Sequence, residues 1–171
     1  MLKIIGIVLA SVAALVLAAV IGLNLYVRVA FGSFYNQAER EFAIPGVDSG
    51  FVCQDLDHLQ GSDAWLFSGY MVDSGPSPLY RRAVDGAIAR LLVQTPDGEL
   101  YQGHGSAITS TDQYAYLACE EGYLVLDAEE VATAADGATV RALARVELDF
   151  SPAFMNIEGD TLLTGEFYFP G

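Results

Sequence analysis

Basic residues are scarce in this 171-residue chain. Asp and Glu number 22 against 8 Lys and Arg, the formal net charge is −14 at pH 7, and Lys3 is its only lysine. Such a surface repels the phosphates of nucleic acids and the headgroups of anionic lipids. The composition therefore excludes nucleic acid as a partner. It favours a surface that keeps the domain soluble, and the alternative is an acidic cleft that attracts cations or cationic ligands.

Motifs for cysteine-based metal sites and for nucleophilic hydrolases are also missing. Cys53 and Cys119 are the only cysteines, and without a CxxC motif they do not indicate a zinc site. The run Gly103-His104-Gly105-Ser106-Ala107 lacks the second glycine of a G-x-S-x-G nucleophile elbow. Outside the cytoplasm, Cys53 and Cys119 are a candidate disulfide pair, with two buried thiols as the alternative.

The N-terminus contains a long run without charge. From Ile4 to Leu23 there are twenty uncharged residues, mostly apolar, which reach about 30 Å as a helix. This exceeds the apolar core of a typical secretory signal, so an uncleaved signal anchor is predicted, with cleavage after Ala30-Phe31-Gly32 as the alternative. Lys3 precedes the run, so the positive-inside rule predicts a single-pass membrane protein whose C-terminal domain is extracytoplasmic.

Three segments are predicted along the chain. Residues 1–30 form the signal anchor, residues 31–46 form a juxtamembrane helix and linker, and residues 47–171 form β repeats. Within the second segment, Phe34, Ala38 and Phe42 recur at helical spacing, which predicts a short helix over residues 33–42.

A turn followed by an apolar strand recurs in the third segment. Ser62-Asp63, Thr111-Asp112 and Gly159-Asp160 place aspartates 49 and 48 residues apart. A period of this length with several short strands per unit is typical of a β-propeller blade. The predicted strands are 51–59, 64–70, 78–83, 89–94, 104–108, 114–119, 123–127, 139–148 and 153–157, and a third unit continues to about residue 168.

The predicted fold is therefore all-β after the N-terminal helix, as a partial β-propeller of about two and a half four-stranded blades. A closed propeller needs about four to eight blades. We expect the sequence to be the front portion of a longer product; assembly between chains and a compact β-sandwich are the alternatives.

Three segments carry a resemblance to a known group of proteins. They are Phe34-Tyr35-x-x-Ala38-Glu39-x-Glu41-Phe42-x-Ile44-Pro45-Gly46, Gly50-Phe51-Val52-Cys53-Gln54-Asp55-Leu56 and Phe67-Ser68-Gly69-Tyr70-Met71. The chain resembles membrane-anchored bacterial proteins of unassigned function whose ectodomain is a quinoprotein or strictosidine-synthase-like propeller. The resemblance implies a propeller fold. Residues 52–56 depart from the Val-Pro-Gln-Gly-Leu pattern of such inner strands, so a calcium-dependent lactonase activity is not carried over.

Two aspartates and a histidine form the candidate metal site. Eight residues before each turn aspartate lie Asp55 and His104, and Asp57 follows on the same face of a regular strand. Carboxylates with an imidazole suit a divalent cation such as calcium. The alternative is that these side chains hydrogen-bond to neighbouring inner strands or face water.

Two functions follow from these features. The chain is predicted to be a membrane-anchored interaction or ligand-binding module for a protein or a small molecule, and the alternative is a metal-dependent hydrolase acting through the propeller channel. Trp65, Phe67, Tyr114 and Tyr116 alternate along second strands. They are expected to fill the core, whereas exposed aromatics would form a binding platform for a carbohydrate or a peptide.

Overall fold

The computed structural model describes residues 2–37 and 41–167, and the chain divides into two compact units, Met1–Ala43 and Ile44–Gly171. The first unit contains α1 (Leu2–Ala30) and α2 (Gly32–Tyr35). The span Lys3–Ala30 has a mean hydropathy of 3.0 over its most apolar window, none of which is buried. An apolar helix long enough to cross a membrane is therefore confirmed, and both an anchor and a signal sequence fit it.

The juxtamembrane helix is shorter than predicted. α2 ends at Tyr35, and residues 41–44 are not helical, so the expected helix over residues 33–42 is wrong in length. Ala38 of the expected apolar stripe lies outside the described residues, and the Phe34 side chain is 68% exposed. A single turn without a side-chain cap does not extend, because helix nucleation is costly.

The second unit is almost entirely β-structure, as predicted. A 3-10 turn (Val47–Ser49) precedes the first strand. The helix α3 (Ala128–Thr133) is capped by Asp127, whose carboxylate accepts a hydrogen bond from the Glu130 N–H at 2.9 Å. The strands are β1 (Phe51–Leu59), β2 (Ala64–Met71), β3 (Pro78–Arg82), β4 (Ile88–Gln94), β5 (Ile108–Ser110), β6 (Tyr114–Cys119), β7 (Gly122–Asp127), β8 (Thr139–Arg141), β9 (Ala144–Glu147), β10 (Phe154–Glu158) and β11 (Thr161–Gly165).

These strands form three sheets within the described residues. The first sheet has the order β1-β2-β3-β4-β8, the second sheet has the order β5-β6-β7-β9, and β10 and β11 form the C-terminal hairpin. Every pair is antiparallel except β4 with β8. The recurring aspartates Asp63, Asp112 and Asp160 lie in the connections between the first two strands of each sheet. In the part of the chain that is described, the sheets do not close into a ring.

A β-bulge at Gln54 changes the facing of the first strand. Cys53 pairs with Gly69, but Asp55 pairs with Ser68, so Gln54 is the extra residue. Side chains normally alternate between faces, and an extra residue reverses that alternation. Phe51 and Cys53 therefore face one side of the first sheet. The side chains that face the other side are those of Asp55, Asp57 and Leu59.

The chain passes from the first sheet to the second between two consecutive residues. The Ala142 N–H donates to the Gln94 carbonyl at 2.7 Å, and the Leu143 N–H donates to the Val125 carbonyl at 2.8 Å. The predicted strand over residues 139–148 is therefore two strands, β8 and β9, in different sheets. β8 covers the free edge of β4, and an edge left open would invite pairing with other chains.

One core joins the two larger sheets. It contains buried residues of both sheets, of α3 and of the adjoining segments: Leu59, Leu66, Leu79, Ala89, Leu91, Val93, Tyr101, Ile108, Ala115, Leu117, Cys119, Leu124, Leu126, Ala128, Val131, Val140 and Ala142. A smaller cluster of Ala107, Ala118 and Met155 connects the second sheet to the C-terminal hairpin. The sheets are therefore held together by burial of apolar surface between them.

Candidate functional site

Asp55 joins the first sheet to the second. Its Oδ2 accepts a hydrogen bond from the N–H of Ile108, the first residue of β5, at 2.9 Å. Its Oδ1 accepts from its neighbour, the Leu56 N–H, at 2.9 Å. A carboxylate that accepts from two backbone amides is bound more strongly than a neutral acceptor. The side chain therefore holds the start of β5 against β1.

Asp57 makes the second connection between the same strands. Its Oδ2 accepts a hydrogen bond from the Ser110 hydroxyl, and Ser110 is buried. Burial raises the pKa of the Asp57 carboxyl above its ordinary value, and the hydrogen bond from Ser110 partly offsets this effect. The hydrogen bond from Ser110 thus stabilises the ionised form of Asp57, whereas the loss of hydration on burial destabilises it.

The partners of Asp55 and Asp57 lie 53 residues further along the chain. The sequence repeat relates Asp55 to His104, which is 49 residues away. Positions that the repeat makes equivalent are therefore not direct neighbours, because the contacts lie four residues further along the chain than the repeat predicts. Sequence reasoning missed Ser110, because the repeat relates Asp57 to Ser106 instead.

His104 lies apart from the described contacts of the two aspartates. It precedes β5 in a segment without strand structure, so the predicted strand over residues 104–108 is wrong except at Ile108. Its ring packs edge-on against Tyr70 with centroids 4.7 Å apart, and its backbone N–H donates to Glu120 Oε1 at 3.2 Å. Sequence reasoning missed Tyr70 and Glu120, which no spacing singled out.

The metal hypothesis gains no support from these contacts. Among residues 2–37 and 41–167, no group of three or more His, Cys, Asp or Glu is arranged to hold a metal ion. Asp55 and Asp57 instead hydrogen-bond to residues of the neighbouring sheet, which is the alternative that the sequence left open. Calcium binding by Asp55, Asp57 and His104 stays a prediction.

Ser106 is engaged by a backbone carbonyl. Its hydroxyl donates to the Pro152 carbonyl, which precedes the C-terminal hairpin. A carbonyl does not accept a proton as a general base does, so this contact does not activate the hydroxyl. Ser106 is instead a third side chain that connects neighbouring sheets.

Both cysteines are free thiols in the structure. Cys119 belongs to the core between the sheets, whereas the bulge at Gln54 places Cys53 on the opposite face of the first sheet from Leu59. The proposed Cys53–Cys119 disulfide is not formed in this arrangement. Burial raises the pKa of the Cys53 thiol, and it raises the pKa of Cys119 to about 11. Neither thiol is therefore a good nucleophile at neutral pH.

The aromatic side chains divide into core and surface groups. Phe67 is fully buried, as predicted, and Trp65 packs against His58 with ring centroids 5.2 Å apart. His58 faces the opposite side of β1 from Asp57, and its Nε2 lies 3.1 Å from Asp63 Oδ1. Tyr114 differs from the prediction, because 37% of its surface is exposed.

An open cavity of about 450 Å³ lies beside His104. It is lined by Tyr101, His104, Ser106, Cys119 and Glu120, together with residues 151–153 and 166–167. Its polar walls come from the segment before β5, from the end of β6 and from both sides of the C-terminal hairpin. A small ligand or a protruding side chain of a partner fits a cavity of this size.

Comparison with known proteins does not extend this description. No family model matches the sequence, and no curated protein and no solved structure is significantly similar to it. The resemblance to quinoprotein and strictosidine-synthase-like propellers therefore stays a prediction.

Replacing Asp55 tests its connecting role. Asp55→Ala leaves the buried Ile108 N–H without its acceptor, so we expect the free energy of unfolding to fall by about 1 to 3 kcal/mol. Asp85→Ala is the control, because it removes a hydrogen bond to Ala87 on an exposed turn where water replaces it. Chemical denaturation of both variants, with and without calcium, measures the difference. A loss seen only with calcium present would instead support the metal prediction.

The pKa of Asp57 predicts a pH dependence. Because burial raises this pKa in the folded state, the contribution of Asp57 to the free energy of unfolding falls as the pH rises from the ordinary Asp value through the raised one. Asp57→Asn keeps an acceptor for Ser110 without the charge. We therefore expect its stability relative to wild type to improve over that pH window and to stay constant above it. Thermal unfolding at a series of pH values checks this, and a constant difference across the window would contradict it.

Proposed function

We propose that this chain is a membrane-anchored, extracytoplasmic β-propeller-like module that binds a ligand or a partner protein. The apolar helix α1 supports membrane anchoring, because it belongs to a different unit from the β-rich part, which has its own core. Lys3 precedes that span, and the positive-inside rule then directs the β-rich unit out of the cytoplasm.

The arrangement of first strands supports propeller-like blades. β1, β5 and β10 are each the first strand of their sheet, and β5 contacts both of the others. In the first sheet β2 and β3 follow β1 in the same order as in the chain, and in the second sheet β6 and β7 follow β5 in the same way. Successive antiparallel sheets with adjacent first strands are typical of a propeller. A β-sandwich also packs sheets face to face, but it does not require the first strands to meet.

The cavity beside His104 supports binding. It is open, and polar groups from three parts of the second unit surround it. Asp55, Asp57 and Ser106 make hydrogen bonds that hold the neighbouring sheets together. These bonds favour a rigid binding surface over the metal-dependent hydrolase alternative, which no contact among the described residues favours.

Cysteine labelling tests the orientation. Asp97 lies exposed in the turn after β4, so Asp97→Cys presents a reactive thiol, whereas the native thiols are at least half-buried with raised pKa values. We expect a membrane-impermeant maleimide to label this variant in intact expressing cells, in the membrane fraction. The unsubstituted chain is the control. Labelling that requires permeabilised cells would contradict the extracytoplasmic orientation.

Site-specific crosslinking tests binding at the cavity. Glu166 lines the cavity and is exposed, so the photoreactive residue p-benzoylphenylalanine at this position should not disturb the core. We expect an ultraviolet-dependent adduct in intact cells, detected by mass, and none when the same residue replaces the exposed Asp85 of the first sheet. Equal results at the two positions would contradict a binding role for the cavity.

A further inference from the structure

Three tyrosines contribute to the walls of a second cavity. It measures about 580 Å³ and lies between the second sheet and the C-terminal hairpin. Its lining includes Tyr114, Tyr116 and Tyr123, together with Asp112 and Asp160 at its rim. These five residues define what we call the tyrosine pocket. It is separate in its lining from the cavity beside His104.

Strand alternation brings the three tyrosines to one face. Tyr114 and Tyr116 are two residues apart on β6, and Tyr123 of β7 pairs with Ala118, which continues the same face. The opposite face of β6 carries Ala115 and Leu117 into the large core. Tyr116 and Tyr123 are half-buried against the smaller cluster at the hairpin, which leaves part of each exposed.

The rings stand at steep angles to each other. The centroids of Tyr114 and Tyr116 are 6.4 Å apart with the planes at 60°, and those of Tyr116 and Tyr123 are 6.0 Å apart at 73°. A flat platform for stacking a sugar ring needs coplanar or singly exposed faces. Rings at steep angles instead present their faces in different directions, as the walls of an aromatic cage for a quaternary ammonium group do.

Two carboxylates give the rim its charge. Asp112 and Asp160 are the turn aspartates of the second sheet and of the hairpin, and both are exposed. Neither makes a side-chain hydrogen bond or an ion pair with the described part of the chain, and no Lys, Arg or His lines the pocket. Their unneutralised charges add to the acidity of the whole chain and attract cations.

We propose that the tyrosine pocket binds an organic ammonium cation, with a quaternary ammonium group as the best fit. The proposal rests on the proposed function as a binding module and adds a second site to it, separate from the cavity beside His104. Tyrosine faces attract a weakly hydrated cation, and the two carboxylates add long-range attraction. A phosphate next to the ammonium group would be repelled by Asp112 and Asp160. The preferred ligand is therefore a cation without an adjoining anion.

Calorimetric titration of the full chain tests the proposal. The detergent should be a non-ionic polyoxyethylene, which presents neither a choline nor a sugar headgroup. We expect saturable binding of choline chloride and of tetramethylammonium chloride, and weaker binding of phosphocholine. The neutral isostere of choline, 3,3-dimethylbutan-1-ol, should not bind, and added sodium chloride should weaken choline binding.

Matched variants distinguish the cage from a general effect of charge. Tyr114→Ala should weaken choline binding about three- to tenfold, because one cation–π wall is lost, whereas Tyr114→Phe keeps the ring face and should retain most of it. Asp112→Asn and Asp160→Asn should each weaken binding by about two- to fivefold and reduce the effect of salt. Asp97→Asn removes the same charge from a distant turn and should change nothing. Unchanged thermal midpoints confirm that each variant is folded.

Several results would overturn the cation site. They are the absence of saturable choline binding, equal binding of choline and its neutral isostere, and affinity unaffected by Tyr114→Ala in a folded protein. Binding of maltose or N-acetylglucosamine that requires Tyr114, without choline binding, would replace the cation by a saccharide and leave the proposed binding module intact. Choline binding by a chain that labels from the cytoplasmic side would contradict the proposed orientation instead.

Discussion

The packing of the two larger sheets depends on the extra residue at Gln54. In a regular strand Leu59 would share a face with Phe51, and the large core would lose one of its fully buried side chains. The bulge turns Leu59 toward the second sheet, and Asp55 and Asp57 turn with it. Apolar burial and the polar connections between the sheets therefore have the same local origin.

The first and second sheets are joined by three kinds of interaction. Their shared core supplies most of the stabilisation, since burial of apolar area is the largest favourable contribution to folding. Asp55 and Asp57 set the position of β5 along β1 by directional hydrogen bonds. The consecutive strands β8 and β9 pair with different sheets, β8 with β4 of the first sheet and β9 with β7 of the second. The chain therefore connects the edges of the two sheets in addition to their packing.

Local patterns predicted most strand positions. Alternating apolar residues bounded by turns marked β1, β2, β6 and β7 to within one residue, because strand burial leaves a period of two in the sequence. Such patterns do not report which sheet a strand joins. The run 139–148 reads as one strand, but its amides find partners in two sheets at Ala142 and Leu143. The prediction of a helix over residues 33–42 was wrong in length, because helical spacing in the sequence does not offset the free energy cost of helix nucleation.

The sequence by itself determined an apolar N-terminal helix, an acidic chain and a β-rich remainder with aspartates at recurring turns, because hydropathy, charge and turn chemistry are local properties. Only the tertiary structure decided which residues meet. A single extra residue separated Cys53 from the core that holds Cys119, and a four-residue displacement gave Asp55 a backbone partner in place of His104. The turn aspartates Asp112 and Asp160 line one cavity with three tyrosines because the hairpin packs on the second sheet. Bulges and packing between sheets arise from long-range burial, which leaves no period in the sequence.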